Sequence, residues 1–174
     1  VVETRIGLDG VVLGGYPISE AIPPQRLHEV LGRPDRIVDP AQPAPFGHRN
    51  NQIHVYDTLG LYFHEHHFTR LAEDLVFVLW AEEEGYTFSP LQSFSGCLRL
   101  GGYRMPLEAI ESEVVRNCPI PFESFLSGRW RTRGGRFGIG MDTKGAKLRS
   151  GRRSSRRRVV SVDVSWPHDP WKTA

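Results

Sequence analysis

A tetrapeptide that occurs twice constrains this chain more than any other feature. Leu-Gly-Gly-Tyr stands at 13–16, inside Gly-Val-Val-Leu-Gly-Gly-Tyr-Pro-Ile, and again at 100–103, inside Cys-Leu-Arg-Leu-Gly-Gly-Tyr-Arg-Met. After each copy comes a stretch of helical character, then a loop, then β-rich sequence that runs to Trp80 in the first half and Trp166 in the second. Internal similarity of this kind predicts a repeated structural unit. The expected architecture is α+β: two tandem ββαβββ units, residues 1–85 and 86–174. Each is read as a helix packed on an antiparallel sheet whose other face stays open.

Local patterns place the elements. Asp9-Gly10 favours a tight hairpin between two short strands within 4–18. A helix is expected from Ser19 or Glu20 to Leu31, with Pro23 and Pro24 in its first turn and Leu27, Val30 and Leu31 on one face. Gly32 ends it and Pro34 prevents its resumption. The proline-rich, polar segment 39–51 reads as a surface loop. Three strands follow, at 52–57, 61–66 and 73–80; strict alternation sets Ile53 and Val55 against His54 and Tyr56, and Leu61 and Phe63 against Tyr62 and His64. In the second half a strand at 94–100 precedes the repeated turn. A helix over 107–116 follows, opened by Pro106 and closed by Pro119. Strands at 128–133 and 136–142 flank Gly134-Gly135, and the last strand runs over 158–166. The strand at 136–142 sets Phe137, Ile139 and Met141 on one face.

The segment Leu27-His-Glu-Val-Leu-Gly-Arg-Pro-Asp-Arg-Ile37 resembles the helix-then-Leu-Gly-x-Pro signature of the tandem-repeat β-lactamase-inhibitor-protein-like fold. That fold also occurs in small outer-membrane assembly lipoproteins. The strand around Tyr56-Asp57 with Leu59-Gly60-Leu61-Tyr62 is similar to small bacterial proteins encoded beside toxins and thought to act as immunity proteins. The resemblance covers residues 5–80 and extends loosely over the second unit. There the helix ends in Asn117-Cys118-Pro119 and the arginine-rich stretch departs from the pattern. The resemblance implies an immunity or inhibitor protein that binds and occludes a cognate toxin domain and performs no chemistry of its own.

Charge is divided unevenly. Residues 144–158 hold eight of the 22 basic side chains and no acidic one, which leaves 14 basic against 20 acidic side chains elsewhere. An acidic body therefore carries a basic hairpin loop. A solvated loop is the first reading of it, contact with an acidic patch on a protein partner through Arg152, Arg153, Arg156 and Arg157 the second, and a nucleic-acid-binding module the third. No apolar run approaches the roughly 20 residues needed to span a bilayer, so no membrane partner is expected. The start Val1-Val2-Glu3 has neither a basic segment nor an apolar core. Cys97 and Cys118 read as reduced thiols, and the expected location is the cytoplasm.

Catalytic signatures are weak. His64-Glu65-His66-His67 sets His64 and His66 on one strand face, where they could chelate a metal with His54 or Asp57. Phe68, however, stands where a zinc-protease helix would carry its second ligand, and solvated imidazoles at a hairpin tip are the more ordinary reading. No nucleophile elbow or phosphate loop is present. No enzyme activity, metal or cofactor is expected. The expected partner contacts are aromatic and basic side chains on the open sheet face: His54, Tyr56, Tyr62 and His64 in the first half, and Trp130, Arg131 and Arg136 in the second. Aromatic side chains there supply contact area at low entropic cost.

Overall fold

The repeated tetrapeptide builds the same turn twice. Gly14 and Gly15 have φ of +57° and +89°, and Gly101 and Gly102 have φ of +55° and +94°. Two successive residues at positive φ give a tight turn whose twist matches that of the flanking strands, and glycine adopts it without a Cβ clash. The computed structural model describes residues 2–38, 51–81, 89–106, 108–132, 137–147 and 153–166. The first half carries β1 (Glu3–Gly7), β2 (Gly10–Leu13), β3 (Tyr16–Ile18), α1 (Pro24–Leu31), β4 (Arg36–Val38), β5 (Gln52–Tyr56), β6 (Leu61–Glu65) and β7 (Asp74–Val78). The second carries β8 (Cys97–Leu100), β9 (Tyr103–Arg104), α2 (Glu111–Asn117), β10 (Phe122–Leu126), β11 (Arg129–Thr132), β12 (Gly138–Lys147) and β13 (Arg153–Ser165). The protein is thus α+β in class and mostly β.

The halves do not form one sheet each, which corrects the expectation of two sheets in tandem. Both sheets draw on both halves. A five-stranded sheet has the order β3-β2-β1-β8-β9, and an eight-stranded sheet has the order β10-β11-β12-β13-β7-β6-β5-β4. In the smaller sheet β1 runs parallel to β8, with Glu3 opposite Cys97 and Ile6 opposite Leu100, so that sheet is mixed rather than antiparallel. In the larger sheet β7 and β13 pair antiparallel at the centre, with Val162 opposite Phe77 and Val164 opposite Leu75.

One apolar cluster spans both sheets. Tyr56, Leu61, Phe63, Leu75, Phe77, Ile139, Met141, Val162 and Val164 supply the inner face of the larger sheet. Ile6, Val11, Leu13, Leu98 and Leu100 enter from the smaller one, and Leu27 and Val114 from the helices. Each fully buried side chain of this size contributes about 1.5–3 kcal/mol relative to leaving it in water. Neither half closes the core by itself, because β1 and β7 are edge strands until β8 and β13 pair with them.

α1 begins at Pro24, later than expected, and ends at Gly32, whose N–H donates to the His28 carbonyl at 2.9 Å. α2 begins at Glu111 rather than 107. The Ala109 carbonyl accepts the Val159 N–H at 2.9 Å and Ile110 bridges to Arg158, so the chain that reads as the first helical turn pairs with β13 instead. β4 and β10, the two outer strands of the larger sheet, are elements that alternation does not announce.

Candidate functional site

Strand register decides which of the expected contact residues can meet. β5 and β6 pair with Ile53 opposite His64, His54 opposite Phe63, Val55 opposite Tyr62 and Tyr56 opposite Leu61. His54 and Tyr56 therefore share the inner face with Phe63 and Leu61, while Tyr62 and His64 lie on the outer face. The four residues do not form one outward cluster, because a one-residue difference in register moves a side chain to the other face. His54 is 3% exposed and Tyr56 1% exposed, so both are core residues. The Tyr56 hydroxyl donates to the Gly32 carbonyl at 3.2 Å, and burial raises its pKa. His64 is buried too; its Nδ1 donates to Asp74 at 2.8 Å, and Asp74 also accepts the His64 backbone N–H. Tyr62 is half-buried, with its ring edge-on to His64.

On the inner face the histidines form a hydrogen-bonded chain. His28 Nε2 lies 3.2 Å from His54 Nδ1, and His54 Nε2 lies 2.8 Å from Glu65 Oε2. Arg70 Nε meets the other Glu65 oxygen at 2.7 Å. The His54 ring stacks on Phe63 at 4.4 Å with an interplanar angle of 9°. Burial holds both imidazoles below the ordinary histidine range. The rest of the histidine-rich segment is tied to acids and an amide: His66 Nε2 lies 3.5 Å from Glu73, and the His67 backbone N–H donates to Asn51 Oδ1 at 3.2 Å. Among the described residues no group of three or more His, Cys, Asp or Glu side chains is arranged to hold a metal ion. Cys97 and Cys118 are free thiols.

The outer end of the larger sheet differs. Among the described residues β10 pairs with β11 alone and forms the sheet edge, and Phe125 and Leu126 are 61% and 56% exposed there. Register puts Trp130 opposite Met141 on the inner face, where it packs half-buried against the core, so Trp130 is not an outward contact. Arg131 faces the other way, exposed, with its guanidinium 5.4 Å from the Phe125 ring centroid. Arg129 is paired with Asp142 at 3.1 Å. The same outer face carries Asp163 beside Asp142, and burial together with the nearby Asp74 and Asp142 charges pushes the Asp163 carboxyl up to about 6. Gly138 and Gly140 form the floor; a Cβ on Gly140 would overlap the Asp163 carboxylate. Arg136 lies outside the described residues.

Part of the basic stretch is structural. Arg157 Nε donates to the Thr143 hydroxyl at 2.9 Å and lies 3.1 Å from a Glu111 oxygen, while its Nη2 donates to the Thr143 carbonyl at 2.7 Å. The Thr143 hydroxyl donates to Glu111 as well. This knot fastens α2 to the β12–β13 hairpin, which corrects the reading of Arg157 as an electrostatic contact. Arg158 lies 4.2 Å from the Trp80 ring centroid and 3.7 Å from Glu108. Arg156 is exposed and Arg153 opens β13; Arg152 lies outside the described residues.

The sequence missed Phe125 and Leu126, although two adjacent apolar residues directly before Ser127-Gly128 are the available signal for an exposed hairpin tip.

A family described as "Domain of unknown function (DUF7738)" matches residues 5–113, more than half of the chain. The chain belongs to that family. The matched span of the DUF7738 domain runs from within β1 into the start of α2. It includes β8 and β9, without which the five-stranded sheet would lose one side. No curated protein and no solved structure matches the chain.

Proposed function

We propose that this protein is an immunity or inhibitor protein that binds and occludes a cognate bacterial toxin domain in the cytoplasm, with the β10–β11 hairpin as its anchor. The observation that carries the reading is the exposed pair Phe125 and Leu126 at a sheet edge, with the Arg131 guanidinium over the Phe125 ring. An exposed aromatic ring beside an arginine matches the residue types enriched at interfaces, and a strand edge with no partner among the described residues offers main-chain donors and acceptors. The acidic balance of the chain outside 144–158, 20 acidic against 14 basic side chains, favours a basic target such as a nuclease, since complementary potential speeds association. A tandem duplication of one ββαβββ unit is part of the same proposal. The matching glycine turns support it, as does the way the larger sheet reads outward from β7–β13 to β4 on one side and to β10 on the other.

The test is a calorimetric titration of the full chain against the toxin domain encoded beside it and, separately, against a generic DNA duplex at physiological salt. Joint substitution Phe125→Ala and Arg131→Ala is expected to weaken toxin binding by about 2 kcal/mol or more. Sub-micromolar duplex binding without toxin binding would replace this reading with the nucleic-acid one.

A further inference from the structure

We propose that His28 and His54 form an acid-released latch, which holds the C-terminal end of α1 on the eight-stranded sheet at neutral pH and frees it when both rings are protonated. The latch is independent of partner binding.

Hydrogen-bond polarity makes the contact sensitive to protons. The Glu65 carboxylate accepts, so His54 Nε2 carries the hydrogen between them and His54 Nδ1 is left as an acceptor. His28 Nε2–H then donates across the 3.2 Å gap. A first proton can enter at His28 Nδ1 without disturbing this order, because the charged ring still donates through Nε2. A second proton, on His54 Nδ1, sets N–H against N–H between two like charges. His54 cannot turn away readily, because its ring is stacked on Phe63 and its far nitrogen is held by Glu65. His28 is the half-buried partner and sits on a short helix near its end, so it is the ring that gives way.

The surroundings set the response. α1 contributes His28, β6 contributes Glu65, the turn after β6 contributes Arg70, and β4 sets the apolar Ile37 opposite His54. Glu65 favours protonation of both rings, while Arg70 opposes that of His54. Burial outweighs Glu65 at both rings and keeps each pKa below 6.5, so release begins below that pH. Leu27, Val30 and Leu31 pack this helix end on the core, so the latch adds to apolar burial, and two polar ties lie beside it. Tyr56 donates to Gly32, and the Asp35 N–H donates to the Val55 carbonyl at 2.9 Å. A helix of eight residues does not hold itself without tertiary contacts.

Amide hydrogen exchange of the full chain from about pH 7.5 down to about pH 4, corrected for intrinsic rates, tests the latch. Protection of the α1 amides is expected to fall about tenfold relative to β13 amides across that range. In His28→Gln, whose side chain can donate to or accept from His54 but does not titrate, the fall should disappear. A parallel measurement needs no variant: imidazole NMR signals of the two rings should titrate as a coupled pair, with the second proton taken up at distinctly lower pH. Flat α1 protection, an undiminished fall in His28→Gln, or two independent single-site curves would each overturn the latch.

Discussion

Asp163→Asn is expected to stabilise the protein at neutral pH and to change the sign of part of its pH dependence. Asp163 stands on the outer face of β13 opposite Gly140, with Asp142 on the neighbouring strand and Asp74 on β7. Desolvation is the largest cause of its raised pKa, the two carboxylates add to it, and Arg131 and Arg129 only partly offset them. A carboxyl whose pKa rises from 3.8 to about 6 on folding binds more protons in the native state than in the unfolded state between those values. Stability from this group is therefore full below about pH 4 and declines as pH rises through 6. The displacement corresponds to about 3 kcal/mol as a ceiling, at about 1.4 kcal/mol per pH unit. Asp163 is half-buried, so water screens part of that, and roughly 1–2 kcal/mol is the expected gain for the variant at pH 7.5. Below about pH 4 the gain should vanish, because the native carboxyl is then neutral as well. Urea unfolding of both proteins at several pH values measures the difference directly. The histidine pair works in the opposite direction over an overlapping range, since rings with lowered pKa lose stability as pH falls below 6.5. Subtracting the Asp163→Asn curve from the parent curve cancels that contribution. A flat difference, or a variant less stable than the parent at pH 7.5, would refute the reasoning.

Two further substitutions test the frame around the site. Gly60→Ala places a Cβ against the backbone of Ser93 and Phe94 at a φ of +75°, and should lower stability by about 3 kcal/mol or more in urea titration. A loss below about 1 kcal/mol would mean that the 93–94 segment yields more easily than its hydrogen bonds imply. Arg157→Ala removes one of the ties between α2 and the β12–β13 hairpin, the Thr143–Glu111 hydrogen bond remaining, and should cost about 1–3 kcal/mol in the same assay. An unchanged urea midpoint would return Arg157 to the role of a surface charge.

Much of the fold is legible in the chain because local chemistry decides it. Gly32 stops α1 as read, although the helix starts at Pro24 rather than at Ser19 or Glu20, and paired glycines at positive φ build the two Leu-Gly-Gly-Tyr turns. Strict alternation places β5, β6 and the buried side of β12, where Phe137, Ile139 and Met141 do share the core. The outer strands of the larger sheet escape such reading. β4 has only three residues, and the Phe-Glu-Ser-Phe-Leu of β10 is nearly all exposed, so neither shows an apolar stripe. The start of α2 escapes it because a helix-compatible segment is captured by β13 through the Ala109 carbonyl.

The candidate site divides along the same line. Alternation within β5 and within β6 pairs His54 with Tyr56 and Tyr62 with His64, as the sequence alone predicts. Whether the two pairs face the same way depends on the offset between the strands, and that offset is a tertiary quantity. The turn at Thr58–Gly60, together with the need to bury Phe63 and Tyr56 on one side, sets Val55 opposite Tyr62 and so separates the pairs. The same holds for the repeat. The sequence announces two similar halves, but strand edges are satisfied by whichever partner buries them best. Here the pairing of β7 with β13, and of β1 with β8, joins the halves across both sheets. Local sequence thus determined the turns, the helix end and the alternating faces, where steric and hydrogen-bonding preferences act within a few residues. Register, sheet partnership and the exposure of Phe125 and Leu126 were decided only by tertiary structure, because they depend on residues distant in the chain competing for the same edges and the same core.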